Sequence, residues 1–178
     1  SVRAWHDLTG YLKAVNDGLN RHGLNVAASR LTTGNHALYP KLESNLARFF
    51  GAEVALLTNC GYVTNLVVAQ SLAGHFSHAL VDERAHAALQ DAAVFLNCPV
   101  LHFEHRRLDH FATALERCGP GARPVVLTDG MFSHDGSVAP LCAYLQLLPR
   151  HGLLLVDDAH GAGTIGKTGK GTTAMAGL

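Results

Sequence analysis

The chain has 178 residues, 48% of them hydrophobic, with 14 basic and 14 acidic side chains and a formal net charge of zero. That is enough apolar material for one packed core. The basic residues are dispersed, only Arg106-Arg107 being a clearly paired cluster, so the concentrated positive patch of a nucleic-acid binder is missing. No apolar run reaches membrane-spanning length, and the first residues lack the layout of a secretion signal.

In chain order, residues 5 to 22 read as a short irregular helix and linker, because two glycines interrupt the helical pattern. Ala27 to Asn35, small, polar and ending in TTGN, reads as an ordered loop. Pro40 suits the first turn of a helix that runs through Phe50. Leu42, Leu46 and Phe49 form its expected buried stripe, and Gly51 stops it. VALLT at 54 to 58 reads as a strand, followed by the turn NCGY and an apolar helix from Val63 to Leu72. HALVD predicts a strand ending at Asp82, and Ala85 to Phe95 a helix. A strand over 100 to 103, a helix over 108 to 117, and the strand PVVLTD over 124 to 129 come next. Leu141 to Leu148 predicts another helix, and GLLLVDD a strand ending near Asp157. Short apolar strands alternating with helices predict a mainly parallel α/β sheet between helices. The expected division is a segment over 1–50 and one sheet domain over 51–178.

The glycine-rich run after Asp157 is an odd end for a packed sheet, whether as a flexible tail or as the point where a larger protein continues. The second is favoured, because several strand ends already carry polar residues suited to a site, and ligands of open α/β sheets collect there. The four cysteines, at 60, 98, 118 and 142, are too widely spaced for a disulfide framework and read as free cytosolic thiols. His75 with His78, and His102 with His105, have three-residue spacing but no accompanying glutamate on a helix. They read as surface or structural histidines, and no metal site is expected.

From Gly161, the stretch VDDAHGAGTIGKT satisfies the phosphate-loop pattern G-x-x-x-x-G-K-[ST]. A phosphate loop needs its strand directly before the turn and a helix starting at the Lys-Thr. Four residues intervene here, and Gly169 and Gly171 interrupt any such helix at once. Lys167 and Lys170 therefore read as turn residues, and the acidic and histidine side chains before the glycines become the useful ones.

The ordered pieces SRLTTGNHALYPKLESNLARFFG, NCGYVTN, DERAHAAL, TDGMFSHDGSVAPL and VDDAHGAGTIGKTGKG cover roughly residues 29 to 171. Together they resemble the N-terminal and central part of the α-oxoamine synthase family, enzymes of the pyridoxal-phosphate-dependent fold type I. The resemblance implies the large domain of that fold, truncated, with residues 1–50 supplying an N-terminal active-site loop and 51–178 part of the cofactor-binding domain. It implies pyridoxal 5'-phosphate as cofactor, an amino acid and an acyl-CoA as substrates, a cytoplasmic setting and a homodimer.

The same resemblance gives residues their roles. Asp157 pairs with the pyridine nitrogen, His160 contacts the ring phenolic oxygen with Ser133 nearby, and His86 stacks on the ring. The Cys60-Gly61-Tyr62 turn supports the phosphate. His86, Asp157 and His160 are the catalytic candidates, and Arg30 and Asn35 the substrate-binding ones, in a loop with Ser29, Thr33 and Gly34. Tyr39 stands where the family often has histidine, and His134 where it has methionine, which loosens the substrate-pocket assignments. The family's Schiff-base lysine lies on a later segment that Lys167 and Lys170 do not match, so the expectation is a longer catalytic chain. The rival expectations are a non-catalytic binding module of the same fold and, behind it, a phosphate-loop nucleotide-binding protein.

Overall fold

The computed structural model describes residues 8–178, which form two compact units divided in the sequence between Leu57 and Thr58. The N-terminal unit contains α1 (Leu8–His22) and α2 (Leu38–Phe50). α1 is a regular helix of 15 residues, a correction to the irregular segment expected over 5–22, of which residues 5–7 lie outside the described residues. An internal glycine costs a helix about 1 kcal/mol. Tyr11, Leu12, Val15 and Leu19 nevertheless recur on one face, and that period runs straight through Gly18.

α2 ends as expected at Gly51, whose left-handed φ of 74° lets its N–H close on the carbonyl of Ala47. The stripe expected on this helix is not buried. Leu42 and Phe49 are 47% and 44% exposed, and no residue of α2 is fully covered. An apolar period identifies a face without saying what packs on it. The strand expected at 54–58 is absent as well. The Leu57 N–H donates to Glu43 Oε1 (2.9 Å) and its carbonyl accepts from Arg30 Nη1 (3.1 Å), so side chains occupy backbone groups that a strand ladder would need.

The second unit contains α3 (Gly61–Ser71), β1 (His78–Asp82), α4 (Ala87–Phe95), β2 (Val100–Phe103) and α5 (Leu108–Arg117). It continues through β3 (Pro124–Asp129), α6 (Leu141–Leu147), β4 (Leu153–Asp157) and α7 (Thr172–Met175). All four strands are parallel, in the order β2-β1-β3-β4. Strand alternation divides the core in two. Ala79, Val81, Val125 and Leu127 face α3 and α4, packing with Ala69, Leu89, Ala92 and Leu96. Leu80 and Val126 face the other way, with Phe111 of α5 and Leu141 and Tyr144 of α6.

The chain leaves β1 through α4 on one face and leaves β3 through α6 on the other. The strand order therefore reverses between β1 and β3, and a crevice opens at their C-terminal ends.

A buried chain of polar groups, outside the wall of the cavity in that crevice, braces this unit. Asp82 is fully buried at the end of β1, and His105 Nδ1 donates to its carboxylate at 3.0 and 3.2 Å. The other ring nitrogen lies 3.0 Å from Ser137 Oγ, in the segment after β3. Of the three-residue-spaced histidines, His105 is thus structural, whereas His102 stands exposed on β2. Replacing His105 by alanine removes the one side-chain donor on a buried carboxylate that keeps the Arg84 and Arg106 backbone N–H groups, and urea unfolding is expected to report a loss of about 1.5–3 kcal/mol. Ser137→Ala should cost only about 1 kcal/mol.

The glycine-rich end is not a loose tail. The Gly163 N–H bonds to the Gly169 carbonyl (2.7 Å), and the Gly171 N–H to the Ile165 carbonyl. α7 follows, beginning at Thr172, which is fully buried. No helix starts at Lys167-Thr168, where a phosphate loop requires one. Among the described residues, no helix is long and apolar enough to cross a membrane.

Candidate active site

The crevice at the strand ends holds a cavity of about 410 Å³, within the size range of small-molecule sites. Its wall includes Gly61, Tyr62 and Asn65 from α3, His86 before α4, Asp129 from β3, and Asp157 and His160 from β4 and its following turn. The parallel register places Asp129 beside Asp157, so two adjacent strands end in carboxylates at the same level.

Asp157 is half-buried and its carboxylate is held from two sides. Oδ2 accepts from the Asn65 side-chain amide at 2.7 Å, and Oδ1 from the Ala159 N–H at 3.1 Å. A carboxylate has about four acceptor positions, so two remain for a ligand. Asp129 is almost fully buried and accepts the backbone N–H of His86 at 2.7 Å, which fixes the entry to α4 across the reversal point. Burial pushes its carboxyl above the usual carboxylate range, the His86 N–H partly offsets this, and the neighbouring Asp157 charge adds to the rise.

His86 caps α4. Its Nδ1 accepts from the Ala88 N–H at 3.1 Å, which in a neutral ring puts the ring proton on Nε2. Tyr62 stands edge-on to it with ring centroids 6.5 Å apart, and its hydroxyl bonds to Asp91 on α4. The hydrogen bond to Asp91 is the main influence holding the Tyr62 hydroxyl above its ordinary pKa, so the phenol stays a donor. Cys60 occupies the N-cap of α3 in an extended conformation and makes no side-chain cap. The first amides of this helix are left for another acceptor, at the end where the helix dipole favours an anion.

Of the residues singled out from sequence, Gly61, Tyr62, His86, Asp157 and His160 line one cavity. Cys60 adjoins it at the cap, while Ser133 is exposed in the turn after β3 and is not part of the wall. Arg30 and Asn35 belong to the N-terminal unit and bond to each other, Arg30 Nε donating to Asn35 Oδ1 at 3.2 Å. Arg30 also grips Glu43 through both terminal nitrogens, at 2.7 and 3.1 Å, and lies 4.7 Å from the Tyr39 ring centroid. Its donors bind the 29–35 loop to α2, and its guanidinium holds the Glu43 carboxyl below the usual range.

Sequence reasoning missed Asn65 and Asp129. Asn65 shares the buried face of α3 with Ala69, four residues on, and a polar side chain on a buried face needs a partner. That spacing was the available signal. Asp129 had only its strand-end position to mark it. Among the described residues, no group of three or more His, Cys, Asp or Glu side chains is arranged to hold a metal ion.

A parallel α/β domain with its polar site at the strand-order reversal is the large-domain architecture of fold type I. The chain belongs to the aminotransferase class I and II family, whose model matches residues 7–176, and to its α-oxoamine synthase branch. It is 39% identical to an 8-amino-7-oxononanoate synthase of Hahella chejuensis over 164 residues, covering 92% of this chain and 41% of that protein. The corresponding protein of Thioalkalivibrio sulfidiphilus is 38% identical over 168 residues, with 94% and 43% covered.

Among solved structures, the serine palmitoyltransferase of Sphingomonas wittichii superposes with a TM-score of 0.86 at 29% identity, covering 93% of this chain and 42% of that one. A serine palmitoyltransferase from S. paucimobilis with bound PLP and myriocin gives a TM-score of 0.88 at 27% identity, with 97% and 44% covered. The chain spans less than half the length of these relatives.

Proposed function

We propose that the complete protein is a pyridoxal-phosphate-dependent acyltransferase that condenses an amino acid with an acyl-CoA, releasing coenzyme A. The observation that carries this reading is the Asp157 carboxylate, held by Asn65 and Ala159 with acceptor capacity to spare beside the uncapped start of α3. A ligand with a basic ring nitrogen at one end and a phosphate at the other fits that pair of groups. The family match and a PLP-bound neighbour of the same fold support the same group.

Bound there, pyridoxal phosphate supplies an electron sink for negative charge at the amino acid's α-carbon. Asp157 would hold the proton on the pyridine nitrogen through a charge-assisted bond, His160 would contact the phenolic oxygen, and His86 would cover one ring face. The Cys60-Gly61-Tyr62 turn would receive the phosphate on its amides. Ser133 would add a polar contact near the phenolic oxygen, and Arg30 and Asn35 are assigned to the substrate side. Lys167 and Lys170 are not in the cavity wall, so the lysine that carries the cofactor is assigned to sequence outside these 178 residues. A homodimer and a cytoplasmic setting complete the reading, the latter supported by four free thiols.

Reconstituting the complete protein with pyridoxal phosphate is expected to give a visible absorption band that shifts on adding glycine, alanine or serine. Thiol release across a panel of acyl-CoAs should then identify the acyl donor. A band with no thiol release from any donor would favour the non-catalytic binding module, and no band at all overturns the proposal.

A further inference from the structure

We propose that Asn65 is a positioning residue that fixes the Asp157 carboxylate and sets its separation from the start of α3, selecting a ligand that joins a protonated ring nitrogen to an anionic group. The inference rests on the pyridoxal-phosphate reading above and goes beyond it by naming the residue that holds the two recognition elements in register.

Asn65 is 7% exposed, and its amide reaches a residue 92 positions away, donating to Asp157 Oδ2 at 2.7 Å. With Oδ1 held by the Ala159 N–H, the carboxylate plane is fixed by one bond on each oxygen. Asn65 is also the fifth residue of the helix whose first two residues, Gly61 and Tyr62, line the cavity. At about 1.5 Å of rise per residue, the Asn65 backbone lies roughly 6 Å along the axis from Gly61. One rigid element therefore carries both the anion-binding turn and the group that aims the carboxylate.

The choice of an amide has a chemical reason. A lysine or arginine here would neutralise Asp157 and compete with an incoming cation. A hydrophobic residue would leave the carboxylate free to turn toward water or toward the Ala159 amide alone. A neutral donor stabilises the charged form without consuming its charge. Outer residues that orient metal-binding groups in this way typically contribute about 10- to 100-fold to affinity, and the same scale is expected for Asn65.

The test uses the complete protein and three readouts: pyridoxal-phosphate affinity from the visible band, the pH dependence of that affinity, and thermal unfolding without cofactor. Asn65→Leu keeps the branched skeleton and removes the donor, and it is expected to weaken binding about 10- to 100-fold. Asn65→Asp places a second carboxylate against Asp157. It should bind poorly above neutral pH and regain affinity as the pH falls, because the introduced carboxyl, once protonated, can donate as the amide does. A merely structural role for Asn65 would lower the unfolding temperature without producing that pH-dependent recovery. If the wild type binds the cofactor and Asn65→Leu binds equally well, or Asn65→Asp shows no recovery at low pH, the positioning role is wrong. If the wild type itself binds no pyridoxal phosphate, both this inference and the functional reading fall.

Discussion

Asp157→Asn in the complete protein is expected to lower kcat/KM by at least about 100-fold, the scale on which removal of one preorganised electrostatic group acts, with little change in folding stability. The asparagine has the same shape but no charge to hold a proton on a ring nitrogen. The stability side of the expectation comes from the neighbouring strand. Asp129 and Asp157 are paired in register, and the Asp157 charge contributes to holding the Asp129 carboxyl above its usual range. Neutralising residue 157 removes that repulsion.

The same change costs something too. An asparagine has one acceptor oxygen, so it can satisfy the Asn65 amide or the Ala159 N–H but not both as the carboxylate does. A net bond contributes about 1 kcal/mol, so the two effects roughly cancel. The checks are steady-state kinetics on the reconstituted protein and urea unfolding of the cofactor-free form. Wild-type turnover in Asp157→Asn would remove Asp157 from the site. A stability loss of several kcal/mol would instead make it a structural residue.

β1, β2, β3 and α5 match their sequence-based bounds because each is an apolar or amphipathic run closed by polar residues or turn formers. Where the reading failed, the missing information was three-dimensional. Leu42 and Phe49 do recur on one face of α2, but exposure depends on neighbours that periodicity cannot supply. VALLT has strand composition, yet Arg30 and Glu43 bind Leu57's backbone, and neither partner is visible in the five letters.

The strand-end aspartates make the same point about the site. Asp82, Asp129 and Asp157 each close a parallel strand. One braces His105, one receives the His86 N–H, and one is held by Asn65 facing the cavity. Local sequence around them is too similar to separate these roles. Family resemblance selected Asp157, and the structure adds its partners, Asn65 and the Ala159 N–H.

Asp158, the other half of the Asp-Asp pair, carries a stability prediction of comparable size. Its Oδ2 accepts from the Thr172 N–H and its Oδ1 from the Thr172 hydroxyl, both at 2.7 Å, tying the start of α7 to the end of β4. Thr172 is fully buried, so Asp158→Ala leaves an N–H and a hydroxyl without partners. The expected loss is about 2–4 kcal/mol, read as a lower urea midpoint. The glycines around this carboxylate are demanded by close approach. A Cβ on Gly161 would lie 2.1 Å from Asp158 Oδ1, and one on Gly171 would lie 2.1 Å from Oδ2. Because Thr172 already holds the carboxylate, it cannot swing aside freely, and Gly161→Ala should cost about 1–3 kcal/mol. The two changes should not add. With Asp158 shortened to alanine, the new methyl at 161 loses its tightest contact and keeps only the 2.9 Å approach to Thr172 Cγ2, so the double variant should be at least about 1 kcal/mol more stable than the sum predicts. Strict additivity would show that the glycine is required by Thr172 or by its own backbone and not by the aspartate it encloses.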